Sequence, residues 1–147
     1  MNIDVKIKKL RDDAVMPKYK TDGAAGMDVC YVGDEDITLK CGEKKLVPCG
    51  FCMEMQSNDY VILMYARSGL SIKHGITMVN GVGVIDSDYR GEIKCPMINL
   101  GDEDYTIKSG DRIGQMVFTP IVHANLTECD ELGTTERADG GFGSTGR

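Results

Sequence analysis

The glycine-rich end of the sequence has the composition of an anion-binding loop. Residues 140–146 read GGFGSTG, and successive backbone N–H groups in such a stretch can surround phosphate oxygens. Ser144 and Thr145 would add hydroxyl donors, and Arg137 would add a bidentate charged contact. No lysine follows the glycines and no strand–helix unit surrounds them, as a P-loop or a dinucleotide fingerprint requires. Taken alone, the stretch is more simply interpreted as a frayed tail.

Two further stretches place charged side chains where a predicted strand ends. Arg67 and Ser68 follow a β-rich run and begin a short predicted helix, where backbone N–H groups attract anions. The alternative is a helix cap beside an exposed arginine. Asp86 follows an apolar run, and a carboxylate at the edge of an apolar pocket can act as a general base for water. The alternative there is a hairpin whose turn happens to be residues 86–89 (DSDY). Separately, Asn80 followed by Gly81 is a strong hairpin signal.

Cysteine spacing raises the possibility of a redox or zinc site. Six cysteines are present, and Cys49 and Cys52 form a CxxC. A thioredoxin-like site would precede a helix in a βαβ unit, and zinc would need about two more nearby ligands. His74 and His123 are isolated in the sequence. Two small side chains in a strand are therefore the favoured interpretation, and without a signal peptide we expect reduced thiols.

The elements that must position these residues are mostly short strands. A chain of 147 residues predicts one domain. Short apolar runs of period two between turn clusters are typical of an all-β sandwich or barrel. The one plausible helix covers residues 68–73. We expect Ser68 to cap it and Gly75 to end it in a left-handed conformation.

Charge and hydropathy narrow the range of partners. The net charge of -6 argues against a general nucleic-acid-binding surface, although a local positive pocket for a small anion remains compatible with it. The sequence shows no signal-peptide apolar region and no apolar run of roughly 20 residues. We therefore expect a cytoplasmic protein with neither a nucleic-acid nor a membrane partner.

Five segments, in order, resemble the five motifs of the trimeric dUTP pyrophosphatases, or dUTPases. They are residues 24–29 (AAGMDV), 66–70 (ARSGL), 80–92 (NGVGVIDSDYRGE), 110–116 (GDRIGQM) and 137–146 (RADGGFGSTG). The resemblance covers essentially the whole chain. It implies a single domain over residues 1–147, with an all-β distorted jelly-roll or β-barrel fold and one short helix. It further implies that residues 133–147 form a flexible, glycine-rich arm at the active site.

The resemblance also implies a reaction and a role for most of these polar residues. The reaction is hydrolysis of dUTP to dUMP and pyrophosphate, which keeps uracil out of DNA and supplies dUMP for dTMP synthesis. Asp86 would activate the water that attacks the α-phosphorus. Tyr89 would stack under the deoxyribose and exclude a 2′-hydroxyl, and the backbone of residues 80–84 would read uracil. The remaining implied substrate contacts are Arg67, Ser68, Gly69, Asn80, Gly83, Val84, Gln115, Arg137, Phe142, Gly143, Ser144 and Thr145.

The implied cofactor is Mg²⁺, and the implied assembly is a homotrimer. Magnesium would be held mainly by the phosphates and by water, which suits its reluctance to lose hydration. Asp28 would help indirectly, through a coordinated water. Each active site of the trimer would take motifs from more than one subunit, with dUTP as the substrate.

Three positions depart from the family pattern, namely Ala66 where proline is usual, Gly114 where alanine is common, and Ala138 where glycine is usual. If position 138 requires a positive φ, alanine would strain the arm. Two other functions remain open. A dCTP deaminase shares the fold but needs a pocket for cytosine, and a binding or regulatory protein could use the same scaffold. The presence of Asp86, Tyr89 and the arm favours dUTP hydrolysis.

Overall fold

The computed structural model describes residues 2–141, and within them eleven β-strands accompany one α-helix. In chain order the elements are β1 Val5–Lys9, β2 Met27–Cys30, β3 Ile37–Leu39, β4 Lys44–Pro48, β5 Phe51–Met55, β6 Tyr60–Ala66, α1 Ser68–His74, β7 Ile76–Met78, β8 Gly83–Ile85, β9 Lys94–Asn99, β10 Tyr105–Ile107 and β11 Arg112–Pro120. The prediction of an all-β fold with one short helix is confirmed. No helix within the described residues is long and apolar enough to cross a membrane.

A four-stranded antiparallel sheet, in the order β2-β11-β6-β8, places four of the five motifs side by side. Gln115 of β11 lies opposite Asp28 of β2 on one side and opposite Tyr65 of β6 on the other. The register between β11 and β2 shifts between Arg112 and Gly114. A bulge of this kind adds one residue to the strand and changes which face the following side chains occupy.

The other strands enclose the core together with this sheet. They form a three-stranded sheet in the order β4-β9-β7 and two pairs, β1 with β5 and β3 with β10. On β5 the residues Phe51, Met53 and Met55 are buried and alternate with half-buried ones, which is the period that a strand with one face on the core requires. The largest fully buried side chains include Leu39, Ile62, Met64, Met97 and Ile113.

The N-cap of α1 lies one residue earlier than the sequence predicts. Arg67, with φ -92 and ψ 127, is the N-cap, and no side chain caps the helix. The expectation that Ser68 caps it is therefore wrong, because the extended backbone of β6 continues through Arg67 and Ser68 is already helical. The predicted end is confirmed, since Gly75 has φ 67. A Cβ at Gly75 would lie 2.3 Å from the backbone nitrogen of Gly101, so glycine is required there for space as well as for backbone conformation.

Candidate active site

Asp28 stands between two arginines near the end of β6. Its Oδ1 accepts a hydrogen bond from Nε of Arg67 at 3.1 Å, and its Oδ2 accepts one from Nη1 of Arg112 at 3.0 Å. Arg67 also donates through Nη1 to the carbonyl oxygen of Arg112 at 3.2 Å. Two guanidinium groups share one carboxylate, so positive charge remains in excess. This arrangement orients Arg67 and leaves the sheet end suited to an anion.

The bulge on β11 explains how Arg112 reaches Asp28. Arg112 and Gln115 are three residues apart, and in a regular strand that spacing places two side chains on opposite faces. The register shift between Arg112 and Gly114 returns both to the side of Asp28. Gln115 donates through Nε2 to the carbonyl oxygen of Ala66 at 3.1 Å, so its amide is held at the point where β6 leads into α1.

The candidate phosphate contacts meet at this sheet end. Arg67, Ser68 and Gly69 follow β6 directly, and Ser68 and Gly69 are exposed. The structure therefore brings them close to Gln115 and Asp28. Arg112 was not among the residues expected at the site. Its position within the fourth motif was the only signal, since its partner lies 84 residues away in sequence.

The turn that contains Asn80 is present, but it does not close a hairpin. Gly81 has φ 72, and the N–H of Gly81 donates to the carbonyl oxygen of Met78 at 3.1 Å. The flanking strands then separate, because β7 pairs with β9 and β8 pairs with β6. The hairpin expected from Asn80 and Gly81 is therefore wrong, since a tight turn fixes local backbone angles but not the partner of a three-residue strand. Gly83 is buried and Val84 is exposed.

Asp86 and Tyr89 follow β8 and border a small cavity. The cavity has a volume of about 230 Å³, and its lining includes Val84, Ile85, Asp86 and Tyr89. Asp86 is exposed, and its carboxylate has no hydrogen-bonding or ionic partner among residues 2–141. The backbone around it is ordered, because the N–H of Tyr89 donates to the carbonyl oxygen of Asp86 at 3.2 Å. An uncommitted carboxylate beside an apolar cavity has the chemistry of a general base.

The carboxylate of Asp86 and the arginine end of the sheet lie apart within one chain. Ile85, which precedes Asp86, pairs with Ile62 of β6. Arg67 follows the last residue of β6 and lies five residues beyond Ile62, which at strand spacing corresponds to roughly 17 Å between the two Cα atoms. The backbone positions of Asp86 and Arg67 are therefore well separated along the sheet within one chain.

The backbone is strained near the start of residues 133–147, the segment predicted to form the arm. Ala138 has φ 44 and is the one non-glycine residue of the described part of the chain with a positive φ. Its N–H donates to the carbonyl oxygen of Thr135 at 3.1 Å, and Nε of Arg137 donates to the carbonyl oxygen of Gly140 at 2.9 Å. Arg137 is exposed. The candidates Phe142, Gly143, Ser144 and Thr145 lie outside the described residues.

The two cysteines of the CxxC have separate environments. Cys49 is fully buried, and its hydrogen bond with Cys95, together with burial, raises the pKa of its thiol. The sulfur of Cys52 instead lies 3.8 Å from the carbonyl oxygen of Lys8 on β1. Within residues 2–141 no group of three or more His, Cys, Asp or Glu side chains could hold a metal. Cys52 lies in β5, whereas Cys49 lies in the turn between β4 and β5. The expectation that both cysteines lie in a strand is therefore wrong for Cys49, because Gly50 turns the chain between them.

A cationic sheet end and an uncommitted carboxylate beside an apolar cavity have the chemistry to bind a phosphate compound and to activate water against it. The family model for dUTPase matches residues 12–146. The deoxyuridine 5′-triphosphate nucleotidohydrolase of Nautilia profundicola is 48% identical over 143 residues, which cover 97% of this chain and 99% of the relative. That of Finegoldia magna is 51% identical over 131 residues, covering 89% and 91%.

Solved structures agree with these relatives. A mutant dUTPase of Staphylococcus bacteriophage 80alpha, solved with dUpNHpp, has a TM-score of 0.88 and 25% identity and covers 98% of this chain and 99% of that one. The chain belongs to the dUTPase family. It is a nucleotide hydrolase that converts dUTP to dUMP.

Proposed function

We propose that three regions of the chain divide the hydrolysis of dUTP between them: the arginine end of the four-stranded sheet, the segment from Asn80 to Tyr89, and the arm over residues 133–147. The observation that carries this division is the contrast between two carboxylates. Asp28 is committed to two arginines, whereas Asp86 is exposed beside the cavity. One carboxylate therefore orients cationic groups, and the other is available to accept a proton.

The sheet end binds the phosphates. Arg67 is fixed by Asp28 on one side and by the carbonyl oxygen of Arg112 on the other, so the guanidinium loses little freedom when an anion binds. Gln115 adds an amide donor for the α-phosphate. Ser68 and Gly69 add backbone N–H groups and a hydroxyl at the start of α1. Preorganised donors of this kind stabilise the charge that develops in the transition state.

Asp86 is the general base. It accepts a proton from a water molecule, whose oxygen attacks the α-phosphorus. The bond between the α-phosphorus and the bridging oxygen breaks, and pyrophosphate leaves with the electron pair. The products are dUMP and pyrophosphate. A positioned base contributes roughly 10²- to 10⁴-fold to such a step.

The segment after β7 recognises the nucleoside. The backbone of residues 80–84 reads uracil, with Asn80, Gly83 and Val84 at its edge, and the ring of Tyr89 lies under the deoxyribose. The arm then closes over the bound nucleotide, and this closure excludes other water. The arm contacts are Arg137, Phe142, Gly143, Ser144 and Thr145.

Magnesium fits this set of donors. Each oxygen of Asp28 accepts a hydrogen bond from an arginine, and a carboxylate oxygen has a second lone pair for a metal-bound water. Asp28 would therefore hold the ion indirectly, and the triphosphate would supply most ligands. When bound, the ion would neutralise charge on the phosphate oxygens.

The active unit is a homotrimer with shared sites. The separation of Asp86 from Arg67 within one chain supports this, because an interface between subunits can bring the two groups together. The segment after β11 exposes Val122 and Leu126 at 93% and 94%. An apolar groove of about 530 Å³ lies between β1 and β11, lined by residues such as Ile7 and Phe118. A second copy of the chain can cover both surfaces, which are unfavourable in water. Residues 1–147 are then one domain, of which 133–147 are the arm.

Subunit mixing tests the shared site together with the reaction. Asp86→Asn and Arg67→Ala proteins are each assayed for pyrophosphate release from dUTP with magnesium, and then again after joint unfolding and refolding. If sites combine Asp86 and Arg67 from different subunits, random mixing restores about a quarter of them. A mixture no more active than its components contradicts shared sites.

Substrate selectivity is tested on the wild-type protein with dUTP, dCTP, dTTP and UTP, and ammonia is measured as well. Release of pyrophosphate from dUTP alone is expected.

A further inference from the structure

The ring of Tyr89 lies across the backbone of Gly91. A Cβ built at Gly91 would be 2.3 Å from the hydroxyl oxygen of Tyr89, 2.5 Å from Cζ and 2.9 Å from Cε2. Carbon atoms that are not bonded to each other prefer separations of about 3.5–4.0 Å. The three atoms nearest to that Cβ all belong to Tyr89. The polar end of the ring therefore occupies the space that a side chain at position 91 would need.

The need for glycine comes from the ring and not from the backbone. Gly91 is absent from the residues with positive φ, which include Gly81 and Gly110. Position 91 therefore does not need the left-handed backbone conformation that favours glycine. The side chain of Tyr89 would have to move to admit an alanine.

A second contact holds the same end of the ring. The hydroxyl of Tyr89 donates to the carbonyl oxygen of Glu92 at 3.2 Å. Glu92 is itself fixed, because its Oε1 accepts the N–H of Gly50 at 3.0 Å and its Oε2 lies 3.2 Å from Nζ of Lys94. Gly50 lies in the turn between β4 and β5, so the contact ties the ring to an ordered part of the fold.

The rest of the ring is available to a ligand. Tyr89 is 48% exposed, and it lines the cavity together with Asp86 and Val84. Any displacement of the ring away from Gly91 would change the shape of that cavity. The height of the ring above the backbone is thus set by the absence of a side chain at position 91.

We propose that Gly91 is a positioning residue that sets the selectivity for deoxyribose over ribose. It acts through Tyr89: by letting the ring lie against the backbone, it fixes the floor of the sugar pocket at a level that excludes a 2′-hydroxyl. The inference rests on the proposed role of Tyr89 under the sugar. Gly91 itself does not contact the substrate.

The test is a double-mutant cycle read by selectivity. The ratio of kcat/KM for dUTP to kcat/KM for UTP is measured for wild type, Gly91→Ala, Tyr89→Ala and the double variant. Gly91→Ala is expected to lower this ratio roughly tenfold or more. In the Tyr89→Ala background the same change should have no further effect, because the residues act as one unit. Gly23→Ala is the matched control, since no atom lies within 4 Å of a Cβ at that position.

The same four proteins also serve as the control for an effect of Gly91→Ala on folding. If Gly91→Ala lowers Tm or prevents folding, the double variant should recover wild-type folding, because the ring that opposes the new Cβ is gone. Failure of the double variant to recover overturns the inference. If a folded Gly91→Ala protein keeps the wild-type ratio of kcat/KM for dUTP to that for UTP, the inference about Gly91 is overturned. If Tyr89→Ala lowers the ratio in that same experiment, the proposed role of Tyr89 still stands. If Tyr89→Ala keeps the wild-type ratio, the proposed role of Tyr89 fails and this inference fails with it.

Discussion

Two tyrosines of the chain lie across a glycine two residues further on, and they differ in burial. A Cβ at Gly33 would be 2.1 Å from the hydroxyl oxygen of Tyr31, just as one at Gly91 would be 2.3 Å from that of Tyr89. Each hydroxyl donates to a nearby backbone carbonyl oxygen, that of Glu35 for Tyr31 and that of Glu92 for Tyr89. Yet Tyr31 is 3% exposed and Tyr89 is 48% exposed.

The difference shows that one local arrangement can serve stability or recognition, depending on what covers the ring. Tyr31 belongs to the hydrophobic core cluster, so its position is determined by core packing. Tyr89 has the glycine on one side and a cavity on the other. A glycine-to-alanine substitution should therefore affect folding at Gly33 and the selectivity for dUTP over UTP at Gly91.

The largest effect is expected beside the exposed tyrosine, at Asp86. Asp86→Asn should lower turnover of dUTP by roughly 10²- to 10⁴-fold, because the amide cannot accept the proton of the attacking water. Binding of dUTP should persist. Pyrophosphate release and calorimetric titration measure the two quantities. Asp88→Asn, which changes the other exposed carboxylate of the same turn, is the control, and near-normal turnover of Asp86→Asn would remove the general base from the mechanism.

The buried tyrosine predicts an effect of intermediate size, on stability alone. Gly33→Ala should destabilise the protein by about 1–3 kcal/mol, the usual cost of forcing extra volume into a packed region. Urea unfolding followed by circular dichroism measures this loss. The ratio of kcat/KM for dUTP to that for UTP should stay at the wild-type value. A change in that ratio would show that the two tyrosine–glycine contacts are not functionally distinct.

The smallest effect is expected at Ala138, where the residue has space but the backbone favours glycine. Its φ of 44 costs an alanine about 1 kcal/mol relative to glycine. Ala138→Gly should make the local arm conformation easier to adopt and raise kcat/KM for dUTP by roughly two- to fivefold. Ala138→Ser keeps the strain and should give no gain. If the glycine and serine variants have equal kcat/KM for dUTP, the backbone strain at position 138 does not limit arm closure.

Sequence reasoning succeeded where a feature depends on a few consecutive residues. Gly75 ends the helix as expected, and Gly81 forms the expected turn. The β-rich run that precedes Arg67 is strand β6, as its composition predicts. These are properties of local backbone angles and of hydrophobic period, which the chain carries directly.

Contacts between distant segments were not accessible in the same way. Arg112 reaches Asp28 across 84 residues, through a bulge that shifts the register of β11. The strands beside Gly81 take partners in different sheets. Which strands pair, and in which register, depends on the summed packing of the whole domain, so no short window of sequence determines it.

The distribution of exposed and buried thiols makes cysteine labelling a measure of local and global unfolding. Cys41 and Cys129 are exposed, whereas Cys30, Cys49 and Cys95 are buried. An alkylating reagent will reach the first two at once and the buried three only through openings of the surrounding structure. The chain has no tryptophan, so unfolding cannot be followed by tryptophan fluorescence. The labelling rate of these three sulfurs measures unfolding instead.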